Sequence, residues 1–229
     1  MLKSAQQLIK SMGGFALGIS MLVSCDPGVE SIASWPQGTV LAVDGEPLFA
    51  SEIDEHIDAL LAINSAFAKT ERRRQILIHI GFPLAYARKH NAERRAAARA
   101  EANAWYAGFP GIESSASDQS QIAFNEPEIG NWDMLGMDVW LVARSLEPGQ
   151  TSKVVELPGR FAVIRMLERD NNLRGGEELM KICLEEFVFV DALDQISDDL
   201  YLQGTLEIID PAWNEVVPGA YKYKMRAEL

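Results

Sequence analysis

Histidine and cysteine are scarce: the chain has three histidines, His56, His79 and His90, and two cysteines, Cys25 and Cys183. No His-x-x-x-His or Cys-x-x-Cys spacing occurs among them, so the common zinc sites are excluded and no metal is expected. The Gly-rich loops that cradle dinucleotides or nucleoside triphosphates are absent, and so is the Gly-x-Ser-x-Gly elbow of serine hydrolases. No cofactor is expected. Cationic residues are in the minority, with 21 Lys and Arg against 33 Asp and Glu, a formal charge of −12 and a pI near 4.7. Nucleic-acid phosphates demand clustered Lys and Arg, so nucleic acid is excluded as a partner. The apolar run Met12–Val23 is too short to cross a bilayer as a stable helix.

What is present is ordinary globular composition, 48% hydrophobic and 24% charged over 229 residues, enough for one or two domains with a sizeable core. Lys3 and Lys10 followed by Met12–Val23 read as a secretion signal, a basic segment and then a short apolar one. Residues 26–37, with Pro27, Gly28, Ser31, Ser34 and Pro36, read as a tether.

Thr39–Val43 then reads as a strand closed by the turn Asp44-Gly45, with Glu46–Phe49 as its return. Ser51 is placed to cap a helix whose first turn holds Glu52, Asp54 and Glu55. Its apolar stripe is Ile53, Ile57, Leu60, Leu61 and Phe67. Thr70 is placed to cap the next helix, with Ile76, Leu77 and Ile80 as the buried stripe and Arg72–Arg74 as a solvated end. Gly81-Phe82-Pro83 predicts a break or kink, since Pro removes a donor and crowds the preceding turn. The helix resumes over Leu84–His90, and Asn91 opens an Ala-rich and Arg-rich helix to about Tyr106. His79 and His90 have no accompanying ligand pattern and are expected to carry neither catalysis nor a metal.

Glu113–Glu128, rich in Ser, Gln and Asp, reads as an irregular connection. A dense apolar cluster follows at Trp132, Met134, Leu135, Met137 and Trp140. The most readable unit is Asp138–Arg169. Within it Val139–Ala143 predicts a short helix, Glu147-Pro148-Gly149 a stop, Lys153–Glu156 a strand, Pro158-Gly159 a turn, and Phe161–Leu167 the returning strand. Beyond a loop over 170–176, Leu179–Val190 reads as a long apolar strand that Glu185-Glu186 interrupts as a bulge. Asp191 is placed to cap a helix containing Ile196 and Leu200 and ending at Gly204. Leu206–Ile209 predicts a strand, and Asp210–Trp213 a final helical turn. Cys183 is expected to be a buried, inert thiol. The fold class is α+β.

Three stretches carry resemblances. Leu22-Val23-Ser24-Cys25 resembles the lipobox of bacterial lipoproteins, which implies a lipidated Cys25 as the mature N-terminus, anchored to the periplasmic face of a bacterial membrane. Several acyl chains at about 0.8 kcal/mol per buried CH₂ hold a protein stably where one does not. An ordinary cleaved signal or an uncleaved anchor, with Cys25 incidental, is the alternative. Leu146–Gly149, Gln150–Ser152, Val154-Val155, Gly159 and Phe161–Met166 resemble the closing third of parvulin-type (rotamase) peptidyl-prolyl isomerases, a match of about thirty residues. Val40–Asp54 resembles the opening of SurA- and PrsA-like periplasmic folding factors.

These resemblances imply a division into a signal peptide (1–24), a lipidated tether (25–37), a mainly helical SurA-like region (38–111), a shortened parvulin-like unit (112–170) and a C-terminal part completing the fold (171–229). They also imply a folding factor that acts on unfolded or nascent extracytoplasmic polypeptides. Its apolar basin for a proline ring would be formed by Met134, Met137, Trp140 and Phe161, with core packing as the alternative role for the same side chains. The family places His directly after the aromatic, and this chain has Ala162; the family's His-Ile-Leu strand has no counterpart, because Ile78-His79-Ile80 sits inside a helical pattern. Three functions stay open: an isomerase, a non-catalytic holdase, and a structural subunit of an envelope assembly.

Overall fold

The computed structural model describes residues 35–109, 124–170 and 178–222. The signal segment, Cys25 and most of the tether lie outside the described residues, as do most of the Glu113–Glu128 connection and the loop after Asp170.

Thr39–Val43 (β1) and Glu46–Phe49 (β2) form the expected antiparallel hairpin. Asp44 at φ 50° and Gly45 at φ 82° supply the two positive φ angles that match a two-residue turn to the twist of its strands. Asp44 tolerates that conformation because its carboxylate accepts from Thr205 N at 2.7 Å and Thr205 Oγ1 at 2.8 Å. All five residues of β1 are buried, so it is a central strand. Its second neighbour is Leu206–Ile208 (β7), paired antiparallel with Leu41 opposite Ile208 and Val43 opposite Leu206. The three-stranded sheet thus runs β2-β1-β7 and joins the two ends of the described chain.

The helix after β2 starts earlier than expected. Ala50–Asp54 (α1) begins directly at the strand end, and the Phe49 N–H donates to the Glu52 carboxylate at 3.1 Å, so Ser51 lies inside the helix and is not its cap. Nor does one helix reach Phe67: after α1 the chain passes through turns to a 3₁₀ segment, Ala59–Ala62. The three-residue spacing of Ile57, Leu60 and Ile63 suits the 3₁₀ repeat and keeps the apolar stripe inward.

Lys69–Ile76 (α2) starts after Ala68, not at Thr70. It continues through a π-helical turn, Leu77–Gly81, into Phe82–His90 (α3). Pro83 therefore does not stop the helix. It directly follows the π turn, where the regular helical hydrogen-bond ladder is already interrupted, and the wide turn accommodates its ring. Ala92–Ala107 (α4) follows from Asn91 as expected. The Arg72–Arg74 run is not a solvated end. Arg72 pairs with Asp58 at 2.6 Å and Arg73 with Asp54 at 2.5 Å, because α1 and the turns after it bring carboxylates against α2, while Arg74 pairs with Glu71 of its own helix at 2.5 Å and donates to the Glu215 carbonyl at 2.9 Å.

The second sheet is four-stranded and antiparallel, in the order β3-β6-β5-β4. A three-residue strand that the sequence did not show, Glu128–Gly130 (β3), leads to Trp132–Leu135 (α5), where the Asn131 side chain accepts from the backbone of Asp133 and Met134. Met137–Arg144 (α6), Val155–Leu157 (β4) and Arg160–Asp170 (β5) follow the sequence reading, with Gly159 at φ 75° in the turn between the strands. Leu179–Val188 (β6) pairs along β5. Glu185 and Glu186 pair regularly with Val163 and Ala162; the irregularity lies between Met166 and Glu168 instead, toward the end of the strands where Asp170 pairs with Leu179.

Strand alternation gives this sheet two covered faces. On one, Ala98 and Ala102 of α4 pack with Phe161, Phe187 and Phe189; on the other, Met137, Trp140 and Ala143 of α6 belong with Ala162, Ile164, Met166 and Ile182 to the larger core. A 3₁₀ turn, Leu193–Gln195, leads into Ile196–Gln203 (α7), and the N-cap residue of that turn is Ala192; Asp191 pairs instead with Arg94 at 2.9 Å. After β7, Asp210 caps the 3₁₀ turn Pro211–Trp213 by accepting from Ala212 N at 2.9 Å, and Gly219–Lys222 (α8) ends the described chain. Segments 38–111, 112–170 and 171–229 thus contribute to shared sheets and cores. The fold is α+β, with antiparallel sheets and helices on both faces of the larger one.

Candidate functional site

The four residues expected to form a proline basin do not converge. Trp140 (fully buried) and Met137 lie in the core beneath α6, and Phe161 is buried on the opposite face of the sheet, against α4. Met134, on α5, is 67% exposed. Two local causes separate them. Phe161 and Ala162 are neighbours on one strand and must face opposite ways; Gly136 at φ 82° turns the chain between α5 and α6. Ala162, which stands where the resemblance calls for His, is fully buried between Val155 and Glu186 and faces the apolar core. Cys183 is buried, and burial pushes its thiol pKa up, in line with an inert thiol.

A cleft of about 240 Å³ lies instead beside the helix and hairpin. Its floor is built by regular spacing on three elements. Ile80 and Leu84 follow each other by four along the π turn and α3, Leu141 and Val142 come from α6, and Val155 and Leu157 alternate along β4. Ile80, Leu84, Leu141 and Leu157 are buried, while Val142 and Val155 are half-buried and open to the cleft. Around this floor stand Glu52, Glu55, His56, Arg88, Asp138 and Glu156.

Most of these rim charges are already engaged. Both Glu156 oxygens accept from Arg88, at 3.2 and 3.3 Å, and from Arg95, at 2.5 and 2.8 Å, while Arg99 stands 3.8 Å away. Burial raises the Glu156 pKa, but the hydrogen bonds from Arg95 and Arg88 outweigh it and hold the carboxyl below its ordinary value. Arg88 also donates to Glu52 at 2.8 Å, so one guanidinium ties α1, α3 and β4 together. Asp138 pairs with Arg160 at 2.8 Å, and Arg160 with Glu186 at 2.6 Å. Glu55 is exposed and makes no ion pair among the described residues. His56 is half-buried, and burial lowers its pKa against the weaker opposing pull of Glu55, so its imidazole is neutral near pH 7.

Among the described residues no group of three His, Cys, Asp or Glu could hold a metal ion, and no helix is long and apolar enough to cross a membrane. Chemically the cleft offers an apolar seat for one or two side chains, a neutral imidazole and an unpaired carboxylate. Sequence reasoning missed His56 and Leu84. The only signal was the spacing of Ile80, Leu84 and Arg88, which reads as one stripe only if the helix runs through Pro83. No family model, curated protein or solved structure matches this chain.

Proposed function

We propose that this protein is a membrane-anchored extracytoplasmic folding factor, resembling parvulin-type isomerases, whose cleft binds unfolded or proline-containing segments of other polypeptides without turning them over. The observation that carries this reading is the apolar floor that Val142 and Val155 open to the cleft over the buried Leu141 and Leu157, within the helix and hairpin that bear the family resemblance. An apolar seat suits a proline ring. Turnover asks for more: amide rotation faces a barrier of about 18–20 kcal/mol, and a catalyst lowers it with fixed dipoles aimed at the twisted amide. The buried Ala162 offers none, and of the polar side chains at the cleft only those of His56 and Glu55 make no hydrogen bond or ion pair among the described residues.

Exchange NMR on X-Pro peptides, combined with a client aggregation assay, tests the reading. The expected result is peptide binding and suppressed aggregation, both lost in Val142→Trp, which fills the cleft, with cis–trans exchange no faster than in buffer. Accelerated exchange would establish an isomerase instead, and absence of both binding and suppression would end the folding-factor reading. A second reading, a structural subunit, is favoured by the exposed apolar side chains Ile129, at 57%, and Met134, at 67%. Recovery of one partner in fixed stoichiometry, lost in Met134→Ser, would select it.

A further inference from the structure

The cleft also carries a charge preference. We infer that it selects apolar or prolyl segments flanked by lysine or arginine and rejects acidic ones. This rests on the reading of the cleft as a polypeptide-binding site and adds which segments it takes.

Each rim group differs in the hydrogen-bonding and charge capacity it has left. The Arg88 guanidinium is shared between Glu52 and Glu156, and Arg95 saturates the remaining Glu156 positions, so neither cation is free for an acidic ligand. Displacing them would leave Glu156, whose side chain is 10% exposed, as a buried unpaired carboxylate, a change that costs several kcal/mol. Glu55, by contrast, is exposed and unpaired among the described residues. Asp138 accepts from Arg160 through Oδ2 alone, and its Oδ1 has no hydrogen-bond donor among the described residues. His56 is neutral and adds no positive charge to oppose them. The open capacity of the rim is therefore anionic, on a chain whose formal charge is already −12. A volume of about 240 Å³ fits one or two residues, below the roughly 300–1,000 Å³ of sites that enclose a drug-sized ligand. The flanking residues of a bound segment then fall on the rim, where Glu55 and Asp138 meet them.

The test is calorimetric titration of blocked peptides that share a central Leu-Pro pair and carry flanking Lys, Gln or Glu, into wild type, Glu55→Lys and Val142→Trp. Exposed ion pairs contribute up to about 1 kcal/mol, about a fivefold change in affinity. Wild type should therefore bind the Lys peptide up to about fivefold more tightly than the Gln peptide, with the Glu peptide weakest and the differences shrinking at high salt. Glu55→Lys, a substitution at an exposed position, should flatten or reverse the order without changing thermal stability. Equal affinity for all three peptides, or an order that survives Glu55→Lys, overturns the charge preference while leaving the peptide site intact. Binding that survives Val142→Trp places the site elsewhere and overturns it too. No binding of any peptide overturns both the preference and the reading on which it rests.

Discussion

Glu156→Gln should expose how much of this fold hangs on one carboxylate. Glu156 projects from β4 and is only 10% exposed in its side chain, with Arg88 at 15% and Arg95 at 28%. Removing one member of a buried ion pair costs about 3–5 kcal/mol, because the partner is left charged in a low-dielectric site. The low end applies here. Arg88 keeps Glu52 at 2.8 Å, and Arg95 can turn toward solvent. A loss of about 3 kcal/mol, at a urea m-value of about 2 kcal/mol/M, lowers the unfolding midpoint by about 1.5 M.

The pH dependence carries a second signature. The folded Glu156 pKa lies below its ordinary value, so its contribution is complete above the ordinary glutamate pKa of about 4.3 and is lost as pH falls through the lowered folded value. The acid limb of the stability profile should therefore be shallower in Glu156→Gln than in wild type. Replacing Glu156 and Arg95 together by Leu should recover much of the loss, since a well-packed apolar pair avoids desolvation. Urea denaturation followed by far-UV circular dichroism measures all three. A midpoint shift corresponding to less than 1 kcal/mol, with an unchanged acid limb, would refute the account of Glu156 as a buried tie between β4 and the helices.

Gly159→Ala should destabilise by about 2–5 kcal/mol, combining the left-handed conformation at φ 75° with a Cβ placed 2.5 Å from Val190 Cγ2 and 2.6 Å from Leu193 Cδ2. A thermal melt within experimental error of wild type would contradict that packing. Ala162→His, which introduces the residue type that parvulin-type isomerases carry after the aromatic, should cost about 2–6 kcal/mol through overpacking and an unpaired buried imidazole, without accelerating X-Pro exchange. A stable variant with faster exchange would show that the position reaches a ligand. Cys25→Ala should release the protein from membranes in a fractionation assay; unchanged retention would point to an uncleaved anchor.

The elements that were legible in the sequence are those set by neighbours in the chain. Asp44-Gly45 and Pro158-Gly159 announced their turns because few residues accept the φ angles required, and α6 and β5 showed their periodicity over short spans. Boundaries failed where a contact distant in sequence, or an adjoining element, took over a local role. Ser51 lost its cap position because β2 runs straight into α1 and Glu52 answers the free N–H. Arg72 and Arg73 looked solvated because their carboxylate partners, Asp58 and Asp54, sit on a different segment. The bulge was misplaced because two adjacent Glu break an apolar pattern without breaking the register.

The candidate site was the least legible part. Met134, Met137, Trp140 and Phe161 are close in sequence and apolar, which is as consistent with a core as with a basin. Only alternation across the real sheet, with α4 on one face and α6 on the other, separates them. The sequence by itself determined the turns, most of the strands, the buried stripe Ile76, Leu77 and Ile80 and the absence of the common metal and nucleotide motifs, because these depend on residues within a few positions of each other, whereas Leu61, placed in the first helix's stripe, is exposed. Tertiary structure alone decided that β7 returns to β1 and that Phe161 and Trp140 lie on opposite faces. It also decided that residues 52–56, 80–88, 138–142 and 155–157 meet around one cleft. Those outcomes depend on how whole elements pack to remove apolar surface from water, and no local pattern encodes which distant partner completes the packing.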